Sequence, residues 1–396
     1  MEYRRFGKTE KEISVITLGG MRFKQAWNEP RNVVDKETQD HCTQMVDLAL
    51  KNGINHFETA YGYMKSEHAF GKTLHDELKL DRSSYYLMTK GREYSADDMR
   101  RLVEQQLKNL KTDYFDFYGW HGLNSREIFN NACKSNGAVE ELLKMKEEGI
   151  IKHVGFSTHA SVDVIEDAIL TDYFEFVNLH YYYFNQTNQR AVDLAKEKDL
   201  GVFIISPNDK GGQLYKAPQK VKNAIPHSTP IQWNARFCLN TPGIHTLSFG
   251  MTEEAHFNEM KGIFDFTQET LEQDQKTKQV LDDMENDDPY AKYKGTELRD
   301  HSGELNIEWL LRWRKLWKCY DMLDFAKYRY KELKTPNDWV PGVYATAENI
   351  SKIDFSKVSD SIPLKEMLLE LHDALYVNPD QKRFDPKTLK LNLGEQ

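Results

Sequence analysis

Residues 54–90 read INHFETAYGYMKSEHAFGKTLHDELKLDRSSYYLMTK, and this stretch contains the repeating unit of the fold. INHFETA (54–60) and YYLMTK (85–90) are short runs rich in apolar, β-branched and aromatic residues, which is typical of buried strands. Between them, a helix-start signal at Ser66 opens a segment that runs to Leu80. A strand, a helix and a second strand in this order predict a βαβ unit around a parallel sheet.

The same alternation extends along most of the chain, and strand-like runs followed by helical periodicity occur eight times. The other six are SVITLG (14–19), YFDFYGWH (114–121), HVGFST (153–158), FEFVNLHYY (174–182), GVFIISP (201–207) and HTLSFG (245–250). Eight units close a barrel, so the sequence predicts an α/β fold of the (β/α)8 TIM barrel type. An open doubly wound sheet would also alternate, but the first βα turn, LGGMRF, lacks the GxGxxG that holds a pyrophosphate.

The composition favours a globular protein that acts on small molecules. A net charge of -9 supplies no basic field for nucleic acid or for a membrane surface, so we expect neither as a partner. The first residues, MEYRRFGKTEKEIS, are charged where a secretory signal needs an apolar core, which indicates a cytoplasmic location. No CxxC pair is present, which argues against a disulfide framework or a zinc knuckle. The oligomeric state has no signal in the sequence.

The pattern changes after Phe264, where we place a domain boundary. Residues 1–264 would form the barrel and residues 265–396 a helical C-terminal extension. Residues 268–288 are rich in Glu, Gln, Asp and Lys, and no strand-like run of comparable strength follows them.

Ionisable side chains end three consecutive predicted strands: Glu58, Lys90 and His121, with Tyr63 in the loop after Glu58. In a barrel these ends meet at one mouth, where reactive groups lie. Reduction of a carbonyl needs a hydride on carbon and a proton on oxygen. Tyr63 would give the proton, and Lys90, held by Glu58, would favour the phenolate. His121 would orient the carbonyl. Alternatively, Lys90 and Glu58 form an ion pair that serves only the barrel.

At these residues the chain resembles the aldo-keto reductase family. HFETAYGYMKSEHAFGKTL is similar to the family's stretch with the acidic residue and the catalytic tyrosine, YLMTKG to its lysine strand, and DFYGWHGLN to its histidine strand. The resemblance implies an NAD(P)H-dependent oxidoreductase that reduces an aldehyde or ketone, or oxidises the alcohol, with Tyr63 as general acid/base.

Three further stretches resemble the family's cofactor contacts: GFSTHAS (155–161) on the nicotinamide side, ISPNDKGGQL (205–214) on the phosphate side and FGMTEEAHFNEM (249–260) on the adenosine side. The resemblance implies cofactor-binding roles for Gly20, Met21, Ser157, Thr158, Asn178, Ser206, Asn208, Lys210, Gly212, Gly250, Met251, Thr252, His256 and Glu259. It also implies NADP(H). Basic residues that grip a 2′-phosphate are not evident, however, and His256 stands about where an arginine is expected, so NAD(H) stays open.

The C-terminal extension resembles part of a bacterial subgroup of this family. Apolar residues in 306–333 recur at helical spacing, which predicts one or two helices that end before Pro336. Residues 363–375 predict one more amphipathic helix. DFAKYRYKEL and SIPLKEMLLELHDAL resemble helices of the subgroup's ferredoxin-like piece, which holds iron-sulfur clusters. A cluster needs four thiolates, and only Cys319 lies in this region. We therefore expect a degenerate ferredoxin-like region with no iron-sulfur cluster and no metal.

Glu58 stands where the family usually has aspartate. Its extra methylene moves the carboxylate by about one carbon-carbon bond unless the backbone compensates. Two hypotheses follow. The protein is an active carbonyl reductase or alcohol dehydrogenase, or it is a catalytically impaired nucleotide-binding protein with a regulatory or scaffolding role.

Overall fold

A computed structural model describes residues 1–298, 305–331 and 342–377. The chain divides into two compact units. The first comprises residues 1–211 and 234–265, and the second comprises residues 212–233 and 266–396. The second unit thus includes residues 212–233, which the sequence analysis assigned to the barrel.

The first unit is built on a closed barrel of eight parallel strands, preceded by an antiparallel hairpin of β1 (Tyr3–Arg5) and β2 (Glu12–Ser14). The barrel strands are β3 (Ile16–Gly19), β4 (His56–Glu58), β5 (Tyr86–Gly91), β6 (Phe115–His121), β7 (Ile151–Ser157), β8 (Phe176–Leu179), β9 (Gly201–Ile204) and β10 (Thr246–Phe249). They pair in sequence order, and β10 closes the barrel on β3. The predicted (β/α)8 barrel is confirmed.

The strand register brings the carboxyl ends of neighbouring strands to one rim. Gly19 pairs with Glu58 across β3 and β4, and Lys90 pairs with Gly119 across β5 and β6. His121, the last residue of β6, pairs with Ser157, the last residue of β7. The predicted reactive residues are therefore distributed around a single barrel mouth.

Helices follow the strands and begin at recognisable caps. The Asp35 side chain accepts from the Thr38 amide, and Ser95 accepts from the Asp98 amide. The helices up to residue 260 are α1 (Lys36–Lys51), α2 (Ser66–Lys72), α3 (Ala96–Leu110), α4 (Arg126–Ala132), α5 (Ala138–Glu147), α6 (Val162–Leu170), α7 (Gln189–Glu197), α8 (Gln219–Ala224), α9 (Pro230–Leu239) and α10 (Glu254–Met260). The segment predicted as one helix to Leu80 is α-helical only to Lys72 and then forms a π-helical turn.

The hairpin seals the amino end of the barrel. The Phe6 ring packs against Phe117 and Phe176, with centroids 5.3 and 5.8 Å apart, and these side chains are fully buried. Gly201, the first residue of β9, lies so close that a Cβ there would come within 2.6 Å of the Phe6 ring.

The second unit is helical in the ranges described, and this prediction for the extension is confirmed. Its helices after α8 are α11 (Gln268–Asp283), α12 (Ile307–Tyr320), α13 (Leu323–Tyr330), α14 (Ala347–Ser351) and α15 (Leu364–Leu375). Arg314 of α12 forms a buried ion pair with Asp288, and the Trp313 ring meets Phe325 of α13 at 5.5 Å. The segment predicted as one or two helices forms two, and Pro336 lies outside the described residues.

His56 is a fully buried histidine inside the barrel. The Thr246 hydroxyl donates to the Ser14 carbonyl at 2.8 Å, so Thr17 must donate to Thr246 at 2.9 Å. The Thr17 oxygen can then only accept from His56 Nδ1, at 2.9 Å. This network places a proton on Nδ1 of His56. Its Nε2 has no hydrogen-bond partner in the described part of the chain, so burial favours the neutral ring. Burial, with a smaller effect of Lys90, lowers its pKa to about 3.

We predict that His56 makes the protein acid-sensitive. An unfolded histidine takes up a proton below pH ~6.5, whereas folded His56 does not, so its contribution to stability is complete above that pH and is lost as the pH falls. The loss should be about 1.4 kcal/mol per pH unit. His56→Gln should reduce the slope of unfolding free energy against pH, measured by urea denaturation between pH 7 and 5. The exposed control His227→Gln should keep the parent's slope, and an unchanged slope in His56→Gln would contradict the assignment.

Candidate active site

A buried ion pair lies at the centre of the mouth. Lys90 of β5 contacts Glu58 at the end of β4, and their side chains are only 2% and 4% exposed. Lys90 Nζ also donates to the Thr59 carbonyl at 3.0 Å. Burial lowers the pKa of Lys90 well below its ordinary value. The lysine therefore gives up a proton more readily than an exposed lysine does.

The second carboxylate oxygen of Glu58 is also bonded. Ser248 of β10 donates to Glu58 Oε2 at 3.2 Å. A Cβ at Gly19 would lie 2.7 Å from Ser248 Oγ and 3.2 Å from Glu58 Oε2, so only glycine leaves room for this contact. The sequence analysis did not identify Ser248 or Gly19. The signal for Ser248 was available, because it is a polar residue inside the last apolar strand run.

Tyr63 lies in the short turn that follows β4 and points its hydroxyl at the ion pair. The phenol donates to Glu58 Oε1 at 3.4 Å, and Lys90 Nζ is 4.9 Å from the centre of the Tyr63 ring. Burial raises the pKa of Tyr63 above its ordinary value, and Arg22 opposes this effect. The phenol is thus protonated near neutral pH, with its proton directed towards the carboxylate.

His121 is the fourth of the residues predicted as catalytic. Its ring is perpendicular to that of Tyr63, with centroids 5.9 Å apart. Burial, followed by the nearby cations Lys90, Arg92 and Lys210, lowers its pKa to about 3. His121 is therefore a neutral imidazole with one N–H to donate. The structure brings all four residues predicted as catalytic to the same end of the barrel.

The residues predicted to hold the nicotinamide amide lie at the ends of β7 and β8. Ser157 Oγ accepts from the Gly122 amide at 3.1 Å, and Thr158 Oγ1 donates to the Leu123 carbonyl at 2.6 Å. Asn178 is fully buried; its Nδ2 is 3.5 Å from the Met88 sulfur, and its Oδ1 has no hydrogen-bond donor in the described part of the chain. A buried amide oxygen without a donor fits a ligand N–H.

Gly20 and Met21, also predicted to bind the cofactor, form a 3-10 turn directly after β3. The residues predicted on the phosphate side lie in the loop after β9. After β9, Ser206 takes a left-handed conformation with φ +50°, and the Lys210 amide donates to its carbonyl at 3.1 Å. Asn208 Oδ1 has no donor among the residues described. Gly212, also predicted here, belongs to the second compact unit, with φ +129°.

The loop predicted on the adenosine side follows β10. Its members are Gly250, Met251, Thr252, His256 and Glu259. The Thr252 amide donates to His256 Nδ1 at 3.1 Å, and His256 Nε2 is 3.3 Å from Glu253. On the other side, His41 Nε2 donates to the Thr252 carbonyl at 2.9 Å. Two histidines therefore hold the backbone N–H and the carbonyl of Thr252, and both nitrogens of His256 are engaged.

Metal ligation has no candidate among the described residues, in which no three His, Cys, Asp or Glu side chains are grouped to hold an ion. In the same ranges, no helix is long and apolar enough to cross a membrane.

The sequence profile of the aldo/keto reductase family matches residues 15–285. This chain belongs to the aldo/keto reductase family. It is an NAD(P)-dependent oxidoreductase, as the resemblance implied.

Several known proteins are similar to the reductase. It is 25% identical over 240 residues to L-galactose dehydrogenase from Arabidopsis thaliana, covering 57% of this chain and 71% of that enzyme. It is 28% identical over 153 residues to D-arabinose 1-dehydrogenase from Saccharomyces cerevisiae, covering 37% of this chain and 43% of that enzyme. The solved holo form of an aldo-keto reductase from Bacillus halodurans has a TM-score of 0.58 at 19% identity, covering 71% of this chain and 96% of that chain, which shows a shared fold.

We predict that Gly19 and Ser248 are coupled through Glu58. Gly19→Ala should lower the free energy of unfolding by about 1–3 kcal/mol, because the new methyl overlaps Ser248 Oγ. In a Ser248→Ala background the same change should cost much less, since that oxygen is gone. Urea denaturation of the two single variants and the double variant measures the coupling. Gly62→Ala is a matched control, since a Cβ there would meet His121 only at 3.6 Å. Strictly additive losses would contradict the close contact.

Proposed function

We propose that the reductase reduces an aldehyde or ketone, or oxidises the corresponding alcohol, with Tyr63 as general acid/base. The observation that carries this proposal is the phenol of Tyr63 donating at 3.4 Å to the carboxylate that binds Lys90. A titratable donor, a buried cation and a neutral imidazole at one barrel mouth are the groups that proton transfer to a carbonyl requires.

NAD(P)H fits the residues present. The unpartnered oxygen of buried Asn178 supports a contact with the nicotinamide amide N–H. The unpartnered oxygen of Asn208 is an acceptor and would bind a hydroxyl of the nucleotide rather than a phosphate oxygen. The nicotinamide would supply hydride to the carbonyl carbon, or accept it from the alcohol. Other residues proposed to hold the nucleotide are Gly20, Met21, Ser157, Thr158, Ser206, Lys210, Gly250, Met251, Thr252, His256 and Glu259.

The nucleotide preference is balanced between two observations. The family resemblance favours NADP(H). Glu253, however, lies 3.3 Å from His256 and would oppose a 2′-phosphate at that histidine. NAD(H) is therefore a full alternative, and a titration with each reduced nucleotide separates the two.

The proton moves from Tyr63 to the carbonyl oxygen as that oxygen gains negative charge. On substrate binding, the hydroxyl turns from Glu58 Oε1 to the carbonyl. The phenolate that forms is stabilised by the Lys90 ammonium, which already lies 4.9 Å from the ring centre. The phenolate regains its proton from the Lys90 ammonium through Glu58 Oε1, which contacts both Lys90 and the phenol, and solvent then reprotonates the lysine. Alcohol oxidation uses the same steps in reverse.

His121 orients the substrate oxygen rather than giving up a proton. With its pKa lowered to about 3, the imidazole is neutral near pH 7. Its N–H donates a hydrogen bond that strengthens as charge develops on the carbonyl oxygen. Because His121 keeps its proton in this mechanism, Tyr63 is the general acid.

The substrate panel follows from the relatives. L-galactose dehydrogenase and D-arabinose 1-dehydrogenase are named for sugars. We therefore propose L-galactose and D-arabinose as first substrates in the oxidation direction, beside simple aldehydes and ketones in the reduction direction. A parent protein that binds nucleotide but turns over no member of the panel would contradict the proposed activity.

We predict that Tyr63→Phe abolishes turnover while nucleotide affinity stays nearly unchanged. The phenol acts on the substrate oxygen, and general acid catalysis contributes ~10²–10⁴-fold, so kcat should fall by that order. Tyr61→Phe is the matched control in the same turn and should keep the parent's rate. If Tyr63→Phe retains more than about half of the activity, the loss expected of a general acid is missing and another group is the acid.

We predict that Glu58 is needed as a carboxylate. Glu58→Gln keeps the shape but removes the charge that holds Lys90, so kcat should fall. Glu58→Asp shortens the side chain away from Lys90 and Ser248 and should be neutral or harmful. Steady-state kinetics on the best substrate of the panel measures both variants. The proposal fails if Glu58→Gln is as fast as the parent.

A further inference from the structure

The turn that carries Tyr63 is strained. Met64, the next residue, has φ +52° and ψ -109°, and Lys65 follows with φ -75° and ψ -10°. These angles are those of the central residues of a type II′ turn, whose first central position favours glycine. A methionine there persists only where surrounding contacts hold it. The contacts that hold this turn therefore control where the phenol of Tyr63 points.

Lys65 supplies two ion pairs to this turn. Its side chain is fully buried, and its ammonium forms ion pairs with Glu29 and, at 3.4 Å, with Asp35. Both carboxylates belong to the loop between β3 and α1, whereas Lys65 belongs to the turn between β4 and α2. The ammonium thus joins two loops of the mouth that are adjacent only because β3 and β4 pair.

The same β3–α1 loop also bonds the backbone on both sides of Met64. Gln25 Oε1 accepts from the Lys65 amide at 2.9 Å, and Gln25 Nε2 donates to the Tyr63 carbonyl at 3.3 Å. Arg31 donates to the Tyr61 carbonyl at 2.8 Å, with its guanidinium 3.6 Å from the centre of the Tyr61 ring. One loop therefore clamps the turn before, across and after the strained residue.

We infer that Lys65 is a positioning residue: its ion pairs with Glu29 and Asp35 lock the strained turn that holds the Tyr63 phenol on the Lys90–Glu58 pair. This inference rests on the proposed function of Tyr63. Without the ammonium, the turn would relax into conformations that a non-glycine residue prefers, and Tyr63 would be displaced with it. A displacement of about 1 Å is enough to cost roughly 10²-fold in rate.

The test compares Lys65→Met with Lys65→Arg and with the double variant Lys65→Met/Met64→Gly. In Lys65→Met we expect kcat to fall about 10- to 100-fold, while KM and nucleotide affinity change less than about twofold. Lys65→Arg keeps the charge and should restore most of the rate. Met64→Gly should also restore much of it, because glycine adopts the turn without strain. Lys36→Met is the control; Lys36 is an exposed lysine that pairs with Asp40 on α1, and its loss should leave kcat unchanged.

A second readout does not depend on turnover. In protein labelled with ¹³Cζ-tyrosine, the Tyr63 resonance, assigned with Tyr63→Phe, should be single in the parent and in Lys36→Met. It should shift or broaden in Lys65→Met. If the parent turns over no substrate, the proposed function fails, and the Tyr63 resonance alone then tests whether Lys65 positions Tyr63. Three results would each overturn the inference. They are an unchanged Tyr63 resonance in Lys65→Met, a loss of nucleotide affinity together with kcat in that variant, and a double variant that is no faster than Lys65→Met.

Discussion

The ion pair between Lys90 and Glu58 is the constraint on which the mouth of this barrel depends. Burying two charges costs free energy unless they are paired and their remaining donors and acceptors are satisfied. Here Thr59 accepts from the lysine and Ser248 donates to the carboxylate. The backbone makes room for both partners, since a Cβ at Gly119 would lie 3.0 Å from the Lys90 stem.

The surroundings of the pair keep other groups from taking up its proton. His56 lies deeper in the barrel and His121 beside the mouth, and burial lowers the pKa of each to about 3. An imidazole with so low a pKa is a weak base, so neither histidine competes for the proton near pH 7. In the proposed mechanism, Tyr63 is therefore the group that exchanges a proton with the ion pair.

Much of the fold followed from the sequence because strand composition, strand spacing and strand ends are local properties. Glu58, Lys90 and His121 were found because each ends a recognisable apolar run. Ser248 and Lys65 were missed for the opposite reason: their partners, Glu58 and the carboxylates of the β3–α1 loop, are brought close only by strand pairing and barrel closure. Ser248 stands out locally as a polar residue in an apolar run, but a single sequence has no local signal that pairs it with Glu58, or Lys65 with its carboxylates.

Helix boundaries show the same limit. Serine is a common N-cap residue, which lies just before the first helical residue, and Ser66 was predicted to mark the start of this helix. In the structure it is the first residue of α2, and its hydroxyl accepts instead from Thr59 Oγ1 at 2.8 Å. Packing of this helix next to the buried ion pair takes precedence over local capping preference.

The central claim is that the buried ion pair serves the chemistry of Tyr63 and not only the stability of the barrel. The double variant Glu58→Leu/Lys90→Met separates these roles, because it replaces both charges with apolar side chains and leaves no unpaired charge. The account predicts a folded protein that binds nucleotide with parental affinity and has lost turnover. A double variant that reduces the carbonyl as fast as the parent would show that the pair is purely structural and would contradict the account.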